Sequence, residues 1–188
     1  NIKNESFLKD TEWLTSAQIA LSTGTSGNSE IPYYDHLALV AGGPKYNDEA
    51  GIYPKQSGNE ELSWEKLWTT NVALHLGFWN RLNLDVELYN KKTTDMLMAF
   101  PTAPSLGYSS YYANVGDMSN KGIEVDLNFT PIRSKNVQWD INVNLTHLKN
   151  KIISLPPERR TKEVEGYYGY AGSSFFYGQG LPLSLIHI

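Results

Sequence analysis

The sequence contains no cysteine, no excess of basic residues and no long apolar run. Without cysteine, disulfide bonds, thiolate catalysis and cysteine-ligated zinc are excluded for these 188 residues. The 16 Lys and Arg are outnumbered by 20 Asp and Glu, and the net charge of −4 argues against a nucleic-acid partner, which would require a basic face. No stretch approaches the ~18 apolar residues of a membrane-spanning helix, and the mean hydropathy is −0.40. One class of membrane protein passes this filter, because a β-barrel alternates polar and apolar residues.

The chain also lacks an initiator methionine. It begins with Asn1, and no basic-then-apolar signal segment follows. We therefore expect a piece of a longer protein. Aromatic residues, by contrast, make up 12% of the chain, and they concentrate at the ends of apolar segments and in the stretches between them.

Three segments alternate apolar and polar residues with a period of two: 82–89, 123–129 and 137–145. Since side chains alternate faces along a strand, each segment predicts a strand with one apolar and one polar face. Residues 69–78 and 17–21 fit this pattern more loosely, and 33–40 is a weaker candidate. The connections 78–81 and 130–136 are short, whereas 41–61, 98–118 and the stretch after Ser154 are long. Strands joined by short connections on one side and long connections on the other predict an all-β protein of antiparallel up-and-down strands, as in an outer-membrane barrel.

A length test supports the membrane interpretation. Trp68 and Phe78 bracket an apolar face ten residues apart. At ~3.3 Å per residue this spans about 33 Å, and a strand tilted about 40–45° then covers about 24 Å of the bilayer normal, close to the ~25 Å apolar band of such barrels. Further aromatic residues, Trp79, Phe129 and Trp139, lie near the short turns, where a periplasmic aromatic girdle is expected.

Several motifs, in order, carry a family resemblance. The segments 59–66 (NEELSWEK), 89–95 (YNKKTTD) and 114–124 (NVGDMSNKGIE), with 7–14 and 24–28 upstream and 142–152 and 178–182 downstream, resemble the SusC/RagA-like TonB-linked outer-membrane receptors. The resemblance implies a barrel of about 22 strands, an N-terminal plug, and an outer-membrane location. It also implies import of nutrients, often glycans, with energy relayed by TonB and a SusD-like surface lipoprotein as the lid. The period-two segments account for about six to eight strands of that barrel, and the plug and the TonB-contacting segment are not among these residues.

The last six residues, 183–188, interrupt the resemblance. Leu-Ser-Leu-Ile-His-Ile is the translation of the beginning of a common adapter used in DNA library preparation. We therefore predict that residues 1–182 are part of a receptor barrel and that residues 183–188 are a sequencing artefact.

Acidic side chains mark the polar face of the predicted strands. If the aliphatic faces meet lipid, five carboxylates line the interior of the barrel: Asp85, Glu87, Glu124, Asp126 and Asp140. The strands that carry Asp85 and Asp126 follow one another in sequence, so we expect them to pair. A pair of acids can do acid–base work or bind a cation, whereas the simpler interpretation is a wetted inner wall that faces the plug.

Aromatic residues crowd the long connections and are the candidate ligand contacts. Aromatic faces stack on sugar rings, and loops on a rigid scaffold carry specificity. The alternative is packing among the loops or contact with the partner lipoprotein. The candidates are Phe100, Tyr108, Tyr111, Tyr112, Tyr167 and Tyr168.

The sequence offers no catalytic residue, cofactor motif or metal site. The histidines His36, His75 and His147 fall on different segments without ligand spacing. The main interpretation is an outer-membrane nutrient importer. Three alternatives remain: a soluble β-rich carbohydrate-binding module, an outer-membrane barrel enzyme, and a siderophore-type TonB receptor.

Overall fold

The computed structural model describes residues 2–6, 8–157, 160, 162–171 and 176–183. Two complete 3₁₀ turns are described, Ile2–Asn4 and Pro104–Leu106. No described helix is long and apolar enough to cross a membrane. Residues 184–188 lie outside the described residues, so the prediction of an artefact at 183–188 stays a prediction.

The described residues form an all-β protein, as the alternation predicts. In chain order the strands are β1 (Leu14–Asn28), β2 (Leu39–Tyr46), β3 (Glu49–Gln56), β4 (Glu65–Phe78), β5 (Leu82–Thr94), β6 (Leu97–Pro101), β7 (Ser110–Asn114), β8 (Asp117–Arg133), β9 (Gln138–Ser154), β10 (Lys162–Val164), β11 (Tyr167–Ala171) and β12 (Phe176–Gly178). The five long strands make one sheet in the order β1-β4-β5-β8-β9. The expected pairing of the strands that carry Asp85 and Asp126 is confirmed, because β5 and β8 are neighbours.

Contacts along β5 and β8 fix their register. The backbone N–H of Thr130 donates to the carbonyl of Arg81 at 2.8 Å, and the Tyr89 ring lies against Gly122. Moving forward from Arg81 to Tyr89 therefore matches moving backward from Thr130 to Gly122. The two strands are antiparallel, with one register along this length.

The neighbouring strands β8 and β9 follow the same rule. The Thr130 hydroxyl donates to the Asp140 carboxylate at 2.7 Å, and the Asn150 amide donates to Asn120. These contacts again run in opposite directions along the two strands. The sheet is thus an up-and-down antiparallel sheet, in agreement with the predicted fold class.

Both predicted short connections are present as turns, although the second is shorter than predicted. Residues 79–81 connect β4 to β5. Trp79 and Asn80 have φ values of 51° and 54°, and the Arg81 N–H closes the turn on the Phe78 carbonyl at 3.0 Å. Two consecutive positive φ angles define the type I′ turn that suits a twisted hairpin. The predicted connection 130–136 begins too early, because β8 continues through Pro131 to Arg133.

The predicted long loops contain strands of their own. The hairpins β2–β3 and β6–β7 and the three-stranded sheet β10-β11-β12 occupy these connections. The weak strand candidate 33–40 is wrong for most of its length: residues 33–36 form a turn, with Tyr34 at φ 68°, and β2 begins only at Leu39. The number of long strands, five, is also below the expected six to eight.

Few side chains are buried in the long strands. Leu21, Trp68, Trp139 and Leu145, all on predicted apolar faces, are more than half exposed. A small core exists instead in the connections, where Met96, Phe100 and Val115 pack with Tyr111, Ala113 and Met118. A contiguous apolar face that its own chain leaves uncovered indicates contact with another apolar body.

Candidate functional site

Contacts between the long strands sort their side chains onto two faces. The Trp13 and Phe78 rings stack with centroids 5.8 Å apart and planes 3° from parallel, so they share the apolar face. On the opposite face, a side chain at Gly77 would meet those of Ser16 and Asn83. His75, two residues from Gly77, also lies on this polar face and contacts Asp85 across the strands. The alternation predicted for each strand is thus carried across the sheet.

Four of the five predicted acidic residues lie in two cross-strand pairs on the polar face. The register set by Thr130–Arg81 and Tyr89–Gly122 places Asp85 opposite Asp126 and Glu87 opposite Glu124. Like charges directly opposite each other destabilise a sheet. A compensating partner is therefore expected at each pair.

The polar neighbours of the Asp85–Asp126 pair supply such partners. His75 makes an ion pair with Asp85 when its ring is protonated. On the other side, the Asn144 amide, oriented with its nitrogen toward β8, donates to Asp126 at 3.0 Å. Sequence reasoning missed both partners, because it considered histidine only as a metal ligand and did not consider asparagine.

Asp140 stands apart from these pairs. It accepts hydrogen bonds from Thr130 at 2.7 Å and from Gln138 at 2.9 Å, near the beginning of β9. Its place is a hydrogen-bonded position beside the β8–β9 turn. The structure therefore brings together four of the five predicted acids.

Phe100 does not fit its predicted role as a ligand contact. Only 8% of the residue is exposed, since it packs with Met96 and Val115. Its ring centroid lies 5.8 Å from that of Tyr111. Tyr111, which is half-buried, therefore supports this core with part of its ring.

Tyr108 and Tyr112 are half-buried, and their carbonyls anchor neighbouring segments. The Thr102 hydroxyl donates to the Tyr108 carbonyl, and the Asn59 amide donates to the Tyr112 carbonyl at 3.0 Å. Successive side chains of a strand point to opposite faces, so Tyr112 projects from β7 on the side away from Tyr111. The aromatic pair in β7 can thus combine packing on one side with contact on the other.

The two tyrosines of β11 are the more open candidates. Tyr167 is 40% exposed and Tyr168 is 53% exposed. The Tyr168 hydroxyl donates to Glu163, and this hydrogen bond together with the glutamate charge raises the pKa of Tyr168. Tyr168 also lines a pocket of about 410 Å³ with Pro157, Arg160 and Gln179. A polar rim with an accessible aromatic face suits a carbohydrate or a peptide.

A network of asparagine hydrogen bonds joins the connecting segments, and we call it the loop clamp (Asn59, Ser63, Glu65, Asp95 and Asn114). The Asn114 amide nitrogen donates to the Ser63 carbonyl at 2.8 Å and to the Asp95 carbonyl at 2.7 Å. Its oxygen accepts from the Ser63 N–H at 2.8 Å. One side chain thereby fixes two segments of the chain to each other.

Charged groups reinforce the loop clamp. Glu65 accepts a hydrogen bond from the Leu97 N–H at 3.1 Å, and Lys66 forms an ion pair with Asp95 at 3.2 Å. All five loop-clamp residues and Lys66 belong to the motifs 59–66, 89–95 and 114–124 that carry the family resemblance. Sequence reasoning used the motifs only as a signature, whereas the structure gives them a bracing role.

A second pocket, of about 310 Å³, adjoins the loop clamp. His36, Asn59, Glu60 and Leu97 contribute to its wall, and Trp64 is its large aromatic residue. Trp64 is 67% exposed, so one face of the indole is available to a ligand. Trp64 was not among the predicted contacts, although an exposed aromatic next to polar side chains is the signal that would have identified it.

Metal-binding geometry is not found among the described residues, where no three His, Asp or Glu side chains converge. The arrangement instead offers a two-faced sheet, a braced set of connections and two shallow pockets with exposed aromatic residues.

A family model described as TonB dependent receptor-like, beta-barrel matches residues 12–182. The chain belongs to this family. Its members are outer-membrane β-barrel receptors, so this sheet is a section of an outer-membrane barrel wall. The family is one of receptors and transporters and not of enzymes, and the resemblance to SusC/RagA-like receptors is confirmed.

Individual relatives agree with this assignment. TonB-dependent receptor P39 of Formosa agariphila is 32% identical over 174 residues, which cover 92% of this chain and 17% of the relative. TonB-dependent receptor SusC of Bacteroides thetaiotaomicron is 32% identical over 168 residues, which cover 82% of this chain and 16% of SusC.

Solved structures of a RagAB peptide importer share the fold. In its closed-closed state the TM-score is 0.84 at 31% identity, over 98% of this chain and 20% of that one. In its open-open state the TM-score is 0.79. This chain spans about a fifth of the length of the proteins it matches.

Proposed function

We propose that this chain forms part of the wall and outer rim of a TonB-dependent importer for oligosaccharides or other large nutrients. The observation that carries the proposal is the two-faced sheet, whose apolar residues face one side and whose carboxylates and amides face the other. In a barrel of this family the apolar side meets lipid and the polar side meets the lumen. Five long strands of a receptor chain, with one register from β5 to β9, fit such a wall.

The polar face is the proposed inner wall. Asp85, Glu87, Glu124 and Asp126 would face the plug domain, which lies outside this chain and which connects the receptor to TonB. Asp140 would lie at the periplasmic end, beside the β8–β9 turn. In this role the acids provide a wetted, hydrogen-bonding surface, and the import step depends on movement of the plug.

The aromatic residues of the connections are the proposed ligand contacts. The half-buried Tyr108, Tyr111 and Tyr112 and the exposed Tyr167 and Tyr168 remain candidates. Phe100 serves the loop core. Aromatic faces provide apolar area that stacks on sugar rings. We also propose a SusD-like surface lipoprotein as the partner that covers this outer rim.

Peptides are the second candidate cargo. The RagAB structures are those of a peptide importer, and a tyrosine-rich rim serves peptides as well as sugars. A siderophore-type receptor remains a third alternative, with less support from SusC and RagAB as relatives. The family assignment displaces the soluble carbohydrate-binding module. We propose no catalytic role and no cofactor.

An uptake experiment tests the proposed cargo and its contacts. Tyr111→Ala/Tyr112→Ala and Tyr167→Ala/Tyr168→Ala would be introduced into the intact receptor that contains this chain. We expect at least one pair to reduce uptake of a labelled oligosaccharide about tenfold, since loss of a stacked aromatic costs on the order of 1 kcal/mol. Tyr33→Ala/Tyr34→Ala is the matched control, because these tyrosines are exposed and lie outside the candidate set.

The same strains separate the alternatives. Growth on peptides as the sole source of the nutrient, with no growth on oligosaccharides, would show that the cargo is a peptide and not an oligosaccharide. Uptake that is unchanged in all three double variants would remove the tyrosines from the ligand site while leaving the barrel wall untouched.

A further inference from the structure

Four lysines gather just beyond the apolar band of the strands β5, β8 and β9. Lys92 follows Leu88 on β5, Lys121 precedes Ile123 on β8, and Lys149 and Lys151 follow Leu145 on β9. All four are separated from these aliphatic residues by even numbers of positions. They therefore project from the same face of the sheet as the apolar band.

The register brings these lysines together. Because Asn120 contacts Asn150, the next pair in an antiparallel ladder is Lys121 opposite Lys149. The register of β5 and β8 places Lys92 opposite Ser119, and Ser119 also stands opposite Lys151. Lys92 and Lys151 are thus diagonal neighbours of Lys121, within reach of a common ligand.

The lysines are exposed and lack a carboxylate partner in the part of the chain that the structure describes. The ion pairs there join Lys66 to Asp95 and His75 to Asp85. Asp117, two positions from Ser119 on β8, is a diagonal neighbour of Lys92 and Lys151, but it makes no ion pair with either lysine among the described residues. Two lysines directly opposite each other repel, and a bound anion would remove that repulsion.

The position of the group favours a lipid headgroup as the anion. The lysines lie at the end of the strands from which the long connections leave, which in this barrel family is the outer surface. The other end of the same face carries aromatic residues, Phe78, Phe129 and Trp139, at the short turns. Basic residues immediately beyond an apolar surface recognise anionic lipid headgroups.

We propose that Lys92, Lys121, Lys149 and Lys151 bind the phosphate groups of glycolipid headgroups in the outer leaflet. The lipid chains would lie along the apolar band, and the phosphates would bridge the ammonium groups. This inference rests on the proposed orientation of the sheet, with its apolar face toward lipid. It adds a specific lipid site to the barrel wall and does not depend on the cargo.

Native mass spectrometry of the intact receptor tests the proposal, with lipid A as the probe. The variant Lys92→Gln/Lys121→Gln/Lys149→Gln/Lys151→Gln is compared with a control that loses the same charge elsewhere, Lys45→Gln/Lys55→Gln/Lys135→Gln/Lys162→Gln. We expect the first variant to bind lipid A at least about tenfold more weakly than the control, because basic residues at a membrane surface attract anionic lipid headgroups. Dephosphorylated lipid A should bind the wild type as weakly as the variant binds lipid A.

Equal lipid A affinity in the two variants, or equal affinity of the wild type for the two lipids, would overturn the proposal. If the quadruple variant does not assemble, the double variant Lys121→Gln/Lys149→Gln tests the same proposal. The salt dependence of lipid A binding to the wild type tests it as well. Binding that is insensitive to salt would contradict it, because phosphate–ammonium attraction is screened. Failure of the barrel orientation itself is recognised separately, by tolerance of a charge at Val86 on the apolar band.

Discussion

The long strands and the segments that connect them hold their side chains in place by different means. In the strands, the backbone ladder fixes the residues while the apolar side chains stay exposed, as at Leu21 and Leu145. In the connections, Phe100 and Val115 are buried in a small core, and Asn114 supplies hydrogen bonds that no strand ladder provides. The strands thus need an apolar surrounding from outside, whereas the connections carry their own packing.

This difference also separates what each region can do. A side chain on the exposed apolar face can only be apolar if lipid surrounds it, so that face is restricted in composition. The polar face tolerates charge, provided that partners such as His75 reduce the repulsion between carboxylates. The connections are free to vary wherever residues lie outside the core and the loop clamp, and specificity is expected there.

A charge on the apolar face should have the largest effect. Val86→Arg lies near the middle of the apolar run of β5, and an arginine there costs about 2–4 kcal/mol at the membrane midplane. Glu87→Arg is the matched control, since its side chain points to the polar face opposite Glu124. The measurement is the denaturant-induced unfolding of the intact receptor in lipid vesicles. Equal loss of stability in the two variants would show that the assignment of faces is wrong.

A glycine on the polar face tests how closely that face is packed. A methyl group at Gly122 would collide with the Tyr89 ring, and the ring or the strand must shift. We expect Gly122→Ala to reduce the free energy of unfolding by about 1–3 kcal/mol, the usual cost of overpacking. The measurement is again unfolding of the intact receptor in vesicles.

Gly24→Ala is the control for this substitution. A methyl group there meets nothing within 4 Å, and alanine is no worse than glycine in a strand interior. Stability should therefore be unchanged or slightly higher. A similar loss in both variants would assign the effect to the backbone and not to the contact with Tyr89.

The sequence predicted the long strands because the physical cause is local. In β5, β8 and β9 the polarity of each residue indicates the face of the sheet on which it lies. The alternation is therefore visible without knowledge of the neighbouring strands. The same alternation placed Asp85 and Asp126 on one face, and the order of the strands made their pairing foreseeable. The register that sets carboxylate against carboxylate required the structure.

The connections were harder to predict because their determinants are not periodic. β2 and β3 contain glycine and proline and pair through a turn at Asn47 and Asp48, both with positive φ. Phe100 looks the same in the sequence whether it binds a ligand or fills a core. The hydrogen bonds of Asn114 join residues that are distant in the chain, and no local pattern announces them.

Removal of the Asn114 side chain should have the smallest effect on global stability. Its effect should be confined to the connecting segments that Asn114 joins. Asn114→Ala loses three hydrogen bonds, two of them exposed, so we expect the local opening free energy to fall by about 1–3 kcal/mol. Hydrogen exchange at the Ser63 amide, which donates to Asn114, reports this directly. Asn142→Ala, at an exposed position of β9, should leave that amide protected. If Ser63 exchanges at the wild-type rate in Asn114→Ala, the loop clamp is not what braces the connections, and the packing of Phe100 must account for their order alone.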